Sequence, residues 1–251
     1  MTPHDLRPSL KRLKLSGILA TMDTRLHEAE TQRWGYLEFL QRLCLDEIER
    51  REQQTLARRV AAARFEQVQT LSTFDFTYNP EIPAPVIRDL ATCAFLRRQE
   101  SVILAGAVGL GKTHLGQALG YAACQQGYSV AYRKAPALFA DLGGGHADGT
   151  YERRLRAYFH PDLLIVDDFG LWELTPQQSE DLYDLVCQRD QHKSWILISN
   201  RLPQDWYPLF PNPVLAEGIL DRLVNTSYHV VLQGKSYRPR RRPGAIPPDS
   251  A

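Results

Sequence analysis

The chain has 251 residues, 43% of them hydrophobic and 24% charged, which suits a globular protein with one large domain and a smaller appendage. Its 30 Lys and Arg against 29 Asp and Glu leave a net charge of +1, so no global field marks a nucleic-acid or membrane partner and any such surface must be local. The four Cys have no CxxC spacing, which argues against a disulfide frame or a zinc site; no apolar run approaches the ~18 residues of a membrane span, and the expected location is the cytoplasm.

The first 70 residues predict a small helical domain. Leu10, Leu13, Ile18, Leu19, Met22 and Leu26, then Leu37, Leu40, Leu43, Ile48 and Leu56, recur at helical spacing, and Gly35 separates two helices. DEIERREQQTLARRVAAARF reads as a long charged helix, either solvated or offering a basic face to a partner. Residues 71–90, with three prolines and an FDF cluster, predict an extended linker.

From residue 91 to 235, strands and helices alternate. SVILAG, YSVAYR, DLLIVDDFG, WILISN and YHVVL read as strands. THLGQALGYAACQQG reads as a helix capped at Gly127. TPQQSEDLYDLVCQRD is a helix with Thr175 and Gln178 in capping-box positions, and VLAEGILDRLV is another. This alternation predicts an α/β domain, a parallel sheet with helices on both faces. Residues 236–251 are basic and proline-rich and predict a disordered tail.

Residues 106–113, GAVGLGKT, match the phosphate-loop pattern G-x-x-x-x-G-K-[ST] between a strand and a helix. Gly106, Ala107, Val108, Gly109, Leu110 and Gly111 form a loop whose amides point at phosphate oxygens, and the following helix adds its positive end. Lys112 supplies a cation to the β- and γ-phosphates, and the Thr113 hydroxyl ligates Mg²⁺. LLIVDDFG delivers Asp167 to the metal and Asp168 to the attacking water at a strand's carboxyl end. Asn200 closes WILISN, where it either starts a turn or hydrogen-bonds the water or the γ-phosphate; beside a phosphate site the second role is expected. No N-K-x-D motif specifies guanine. YERRLRAYF could serve as the lid of a small-molecule kinase, so that class stays open.

GAVGLGKTHLGQALGYAACQQGYSV, DLLIVDDFG, ILISNR, ILDRLV, GKSYR, the N-terminal LKLSGILATMDTRLHEAE, the LARRVAAARF helix and STFDF together resemble the IstB family, the ATP-binding helper proteins of IS21-type insertion sequences. The resemblance runs to about Arg238. It implies an AAA+ core with strand order 5-1-4-3-2, an all-α N-terminal domain and no full C-terminal lid. It also implies an ATPase using ATP and Mg²⁺, forming homo-oligomers with sites at subunit interfaces, assembling on duplex DNA and assisting a transposase. A helicase loader is the alternative. Arg222, in ILDRLV, sits where related proteins place an arginine finger, although pairing with an acid of its own helix would explain it equally. Arg133 and Lys134 after the second strand, and Arg153, Arg154 and Arg156 in a segment where related initiators contact nucleic acid, are the implied DNA contacts. A C-terminal helix at SYR could also place Arg238 near the nucleotide, but Arg238 is not among the expected site residues. Many AAA+ proteins have Glu where this chain has Asp168, which implies slow hydrolysis.

Overall fold

The helical periodicity of the first residues is realised in the computed structural model, which describes residues 3–190 and 192–238. Helices α1 (Pro3–Arg12), α2 (Ser16–Gln32) and α3 (Tyr36–Ala63) follow one another, with Gly35 in the break between the second and third. Met1–Arg58 form one compact unit and Arg59–Ala251 another. Within the first, Asp46 of α3 accepts Arg25 Nε at 2.8 Å and Nη2 at 2.7 Å. Its neighbour Glu47 accepts the amides of Gly17 at 2.6 Å and Ile18 at 3.3 Å, so a carboxylate from α3 caps the open N-terminus of α2. The Arg25 guanidinium holds the Asp46 carboxyl below its ordinary range. Burial works against ionisation of Glu47, but Arg51 and the two amides outweigh it and lower that carboxyl too.

In the second unit, a 3₁₀ turn at Leu71–Thr73 and helix α4 (Ala84–Leu90) stand where an extended linker was expected. Pro85 occupies the first turn of α4, where a missing N–H costs no hydrogen bond, and Ile87 and Leu90 are buried. A short helix, α5 (Ala94–Arg97), precedes the sheet.

Strands β1 (Ser101–Gly106), β2 (Val130–Lys134), β3 (Leu163–Phe169), β4 (Ser194–Ser199) and β5 (Ser227–Leu232) pair in parallel in the order β2-β3-β4-β1-β5. This is the expected 5-1-4-3-2 sheet read from its other edge. The central strands β1, β3 and β4 are buried along nearly their whole length, as strands covered on both faces must be. Ile103, Leu164, Val166, Trp195 and Leu197 pack on a layer made by α7 (Ala135–Asp148), α8 (Tyr151–Phe159), α9 (Pro176–Arg189) and α10 (Pro213–Val224). The opposite face is covered by α6 (Lys112–Gln125), whose Gly116 and Gly120 lie against Ile198 and Ile165.

Residues 135–148, to which the sequence patterns above give no element, form α7, with Gly143, Gly144 and Gly145 inside it. A β-carbon on Gly145 would stand 2.8 Å from Tyr151 Cα, so the helix is kept for close approach to α8. Two end signals hold as expected. Gly127 N–H reaches Cys124 O and Tyr128 N–H reaches Ala123 O, a Schellman closure of α6. Thr175 and Gln178 form a complete capping box on α9. Among the described residues no helix is long and apolar enough to cross a membrane. Of the expected tail, residues 236–238 are not a free end: they pack across the phosphate loop, while residues 239–251 lie outside the described residues.

Candidate functional site

The carboxyl ends of β1, β3 and β4 are adjacent, so whatever the sequence places just past them converges. β1 leads into the phosphate loop. Gly106, Gly109 and Gly111 take φ of +142°, +87° and +87°, conformations that a β-carbon resists, and Gly111 then opens α6. The Lys112 ammonium turns back onto its own loop and donates to the carbonyls of Gly106 at 2.8 Å and Ala107 at 2.7 Å. It is 6% exposed. Burial pushes it down to about 8, the nearby Asp167 and Asp168 pull it up, and Arg238 pushes it down again.

β3 delivers the acids through a defect. Its register with β4 shifts between Val166 and Phe169, and Asp168 adopts φ +57°. A bulge of this kind re-aims side chains that a regular strand would alternate between faces. Asp167 is buried, accepts the Tyr132 hydroxyl at 2.8 Å and accepts the Asp168 amide at 2.8 Å. Burial and the Asp167 charge push the Tyr132 phenol up, so it stays a donor. Burial first, then the Asp167 charge, push the Asp168 carboxyl up as well, which makes it a better proton acceptor when ionised.

Gly109, Leu110, Gly111, Lys112, Thr113, Asp167, Asp168 and Asn200 line one cavity of about 610 Å³. Its far side is built by the segment around the FDF cluster. Phe74 lies over Gly111, where a β-carbon would come within 2.6 Å of its ring, and it meets His114 edge-on at 5.2 Å. Sequence reasoning passed over Phe74, Tyr78, Asn79 and Tyr132 as site residues. Aromatic and amide side chains in a loop or an edge strand carry no spacing signal, and only the fold brings them to the loop. A curled loop of amides, a cation bonded to two loop carbonyls, a buried carboxylate beside a hydroxyl and a cavity of this size fit a nucleoside triphosphate with Mg²⁺, which takes few protein ligands besides phosphate oxygens.

A family model described as IstB-like ATP binding protein matches residues 8–245. The chain belongs to this family. It is 50% identical to an ATP-binding protein in an insertion sequence of Mycobacterium tuberculosis, over 95% of this chain and 96% of the relative. It is 35% identical to the insertion sequence IS21 ATP-binding protein of Pseudomonas aeruginosa, over 97% of this chain and 92% of that one. Among solved structures, the DnaC helicase loader superposes with a TM-score of 0.57 at 17% identity, over 68% of this chain and 99% of that chain, and shows the same AAA+ fold.

Of the remaining residues singled out in this IstB-like chain, Val108 and Arg238 also line the cavity, whereas Arg222, Arg133, Lys134, Arg153, Arg154 and Arg156 are not among its lining residues. Arg222, on α10, donates to Gly218 O of its own helix at 2.8 Å, and its Nε is 3.4 Å from Asp190 at the end of α9, not beside Asp221 or Glu217. Arg133 and Lys134 are the last residues of β2 and do not follow it. Arg133 lies over the Tyr158 ring at 5.9 Å. Lys134 pairs with Glu66 at 2.8 Å and comes within 3.9 Å of Asp168. On α8, Arg154 is bound to Asp141 and Asp148, tying α8 to α7, while Arg153 and Arg156 are exposed.

Proposed function

We propose that this chain is a DNA-dependent ATPase that assembles on duplex DNA and assists a partner transposase. The observation that carries the reading is the convergence of the phosphate loop, Asp167, Asp168 and Asn200 on one cavity in an IstB-like chain. When bound, ATP with Mg²⁺ supplies an electrophilic phosphoryl group whose charge is partly neutralised. Lys112 exchanges the two loop carbonyls for phosphate oxygens. Thr113 and Asp167 would hold the metal, with the Tyr132 hydroxyl fixing the Asp167 carboxylate. Asp168 takes the proton of the attacking water, and Asn200 orients that water or the γ-phosphate. The relatives' insertion-sequence context supports the transposase partner. The exposed Arg153 and Arg156 support a DNA-facing α8, and Arg133 and Lys134 are secondary contacts in the same reading. Arg154 contributes by holding α8 in place.

The test measures ATP turnover and oligomer size of the full chain with and without duplex DNA across a salt series. Duplex DNA should raise turnover and drive assembly, with little sequence preference. Replacing Arg153 and Arg156 together should flatten the slope of log affinity against log salt by about one unit per lost phosphate contact. Turnover indifferent to DNA but stimulated by a small acceptor that becomes phosphorylated would replace this reading with a kinase.

A further inference from the structure

The last described residues are pinned over the phosphate loop by contacts that the reading above does not use. Asn79, 4% exposed, donates from Nδ2 to the Lys235 carbonyl at 2.7 Å and accepts the Lys235 amide at 2.8 Å. The Tyr78 hydroxyl donates to the Ser236 carbonyl at 2.9 Å. The Tyr237 amide donates to the Gly109 carbonyl at 2.8 Å, and the Tyr78 and Tyr237 rings meet edge-on at 5.0 Å. Ser236 sits so close that a β-carbon on Gly109 would come within 2.1 Å of its hydroxyl oxygen. Four backbone hydrogen bonds within a few residues make this stretch a strap, clamped by a buried amide on one side and by the phosphate loop on the other.

The strap carries Arg238 to the site. Its Cγ lies 3.5 Å from the β-carbon position of Gly109, and it lines the same cavity as Lys112, Thr113, Asp167, Asp168 and Asn200. An arginine there shares the cavity with the Lys112 ammonium and is a second cation at a loop built for anions. Its planar fork matches a phosphate's oxygens better than a lysine's point charge does. Because Asn79 and Tyr78 fix the backbone that bears it, less ordering remains to be done on binding.

We propose that Arg238 contacts the nucleotide's phosphates in its own subunit, and that the Asn79- and Tyr78-clamped strap is the device that positions it. The proposal rests on the nucleotide site proposed above. The chain would thus close its own site with its C-terminal segment, and nucleotide occupancy would in turn tighten that segment.

The experiment uses the full chain, a fluorescent ATP analogue with Mg²⁺ and competition by unlabelled ATP. Arg238→Ala should weaken ATP binding by about ten- to a hundredfold, the range of one charge-assisted contact. Its melting temperature should not move, because the side chain is exposed. Arg238→Lys should recover part of the loss. Asn79→Ala should also weaken binding, but much less in an Arg238→Ala background, since the two act through one contact. If Asn79→Ala does not fold, Tyr78→Phe, which removes only the hydroxyl bond to Ser236, takes its place in the cycle. ATP should slow hydrogen exchange at the Tyr237 amide. Unchanged ATP affinity in Arg238→Ala overturns the proposal, and additive losses in the cycle overturn the strap's positioning role. If wild type binds no ATP, or if Lys112→Ala binds it normally, the nucleotide site itself is wrong, a result separable from these.

Discussion

Lys112 is a buried cation whose two bonds go to neutral carbonyls of its own loop, so its charge is under-compensated in the free protein. With the ammonium pushed down to about 8 by burial, the free protein begins to lose that proton near neutral pH. Phosphate oxygens favour the charged form and raise it. Binding therefore takes up a proton as pH rises through this value, and ATP affinity falls in the same window. Calorimetric titrations in buffers of different ionisation heat should show proton uptake growing from about pH 7 to about pH 9. Lys112→Ala should lose tight ATP binding in a fluorescence titration, and with it the pH dependence. Asp168 stands in strained backbone with its carboxyl shifted up, the combination expected of a residue held for chemistry. Asp168→Asn should bind ATP as wild type does and turn it over about 10²- to 10⁴-fold more slowly. Normal single-turnover rates in that variant would assign the proton to another group.

At the scale of elements, the DNA-facing reading depends on how α8 is held, and the chief holder is a residue that no motif announces. Arg189, at the end of α9, is fully buried. Its Nη1 donates to the carbonyls of Tyr158 at 2.7 Å, Phe159 at 3.2 Å and Pro161 at 2.9 Å, and its Nη2 donates to Ser194 O at 2.5 Å. It thus closes the C-terminal end of α8, fixes the loop into β3 and meets β4, with the Trp195 ring 5.1 Å away. Arg189→Met keeps the bulk but strands several buried carbonyls, each costing about 1–3 kcal/mol. Urea unfolding should show a loss of at least about 3 kcal/mol, and Arg189→Lys should restore only part because three donors on one atom cannot span the same carbonyls. A midpoint unchanged in Arg189→Met would mean that water replaces the fork.

At the scale of the whole molecule, Arg222 cannot serve the cavity of its own chain while bonded to Gly218 and beside Asp190, and it is not among the residues lining that cavity. A role in hydrolysis therefore requires a neighbour's site. Arg222→Ala should keep ATP binding and lose turnover by about 10³-fold, the lower end for an arginine finger. The decisive measurement mixes variants on DNA. Arg222→Ala subunits have sound pockets and give no arginine, whereas Asp168→Asn subunits have dead pockets and still donate theirs. Turnover should partly return in the mixture. If co-assembled mixtures stay inactive, the arginine only braces α10 against α9.

The sequence by itself determined the sheet and which contiguous motifs stand at its carboxyl edge. Apolar runs long enough to be buried on both faces dictate β1, β3 and β4. GAVGLGKT, LLIVDD and the Asn after WILIS bring their functional groups to strand ends because chain adjacency alone puts them there. Only the tertiary structure decided what lies distant along the chain. Asn79 grips Lys235 across 156 positions, Tyr132 reaches Asp167 across 35, and Arg222 turns to Asp190 in place of an acid on its own helix. It also decided that Gly145 serves packing within a helix and that Ser236–Arg238 lie on the phosphate loop. Such contacts are set by which surfaces the sheet order brings together. Hydrogen-bonding side chains are satisfied by any well-placed partner, so their sequence spacing carries no trace of the one they find.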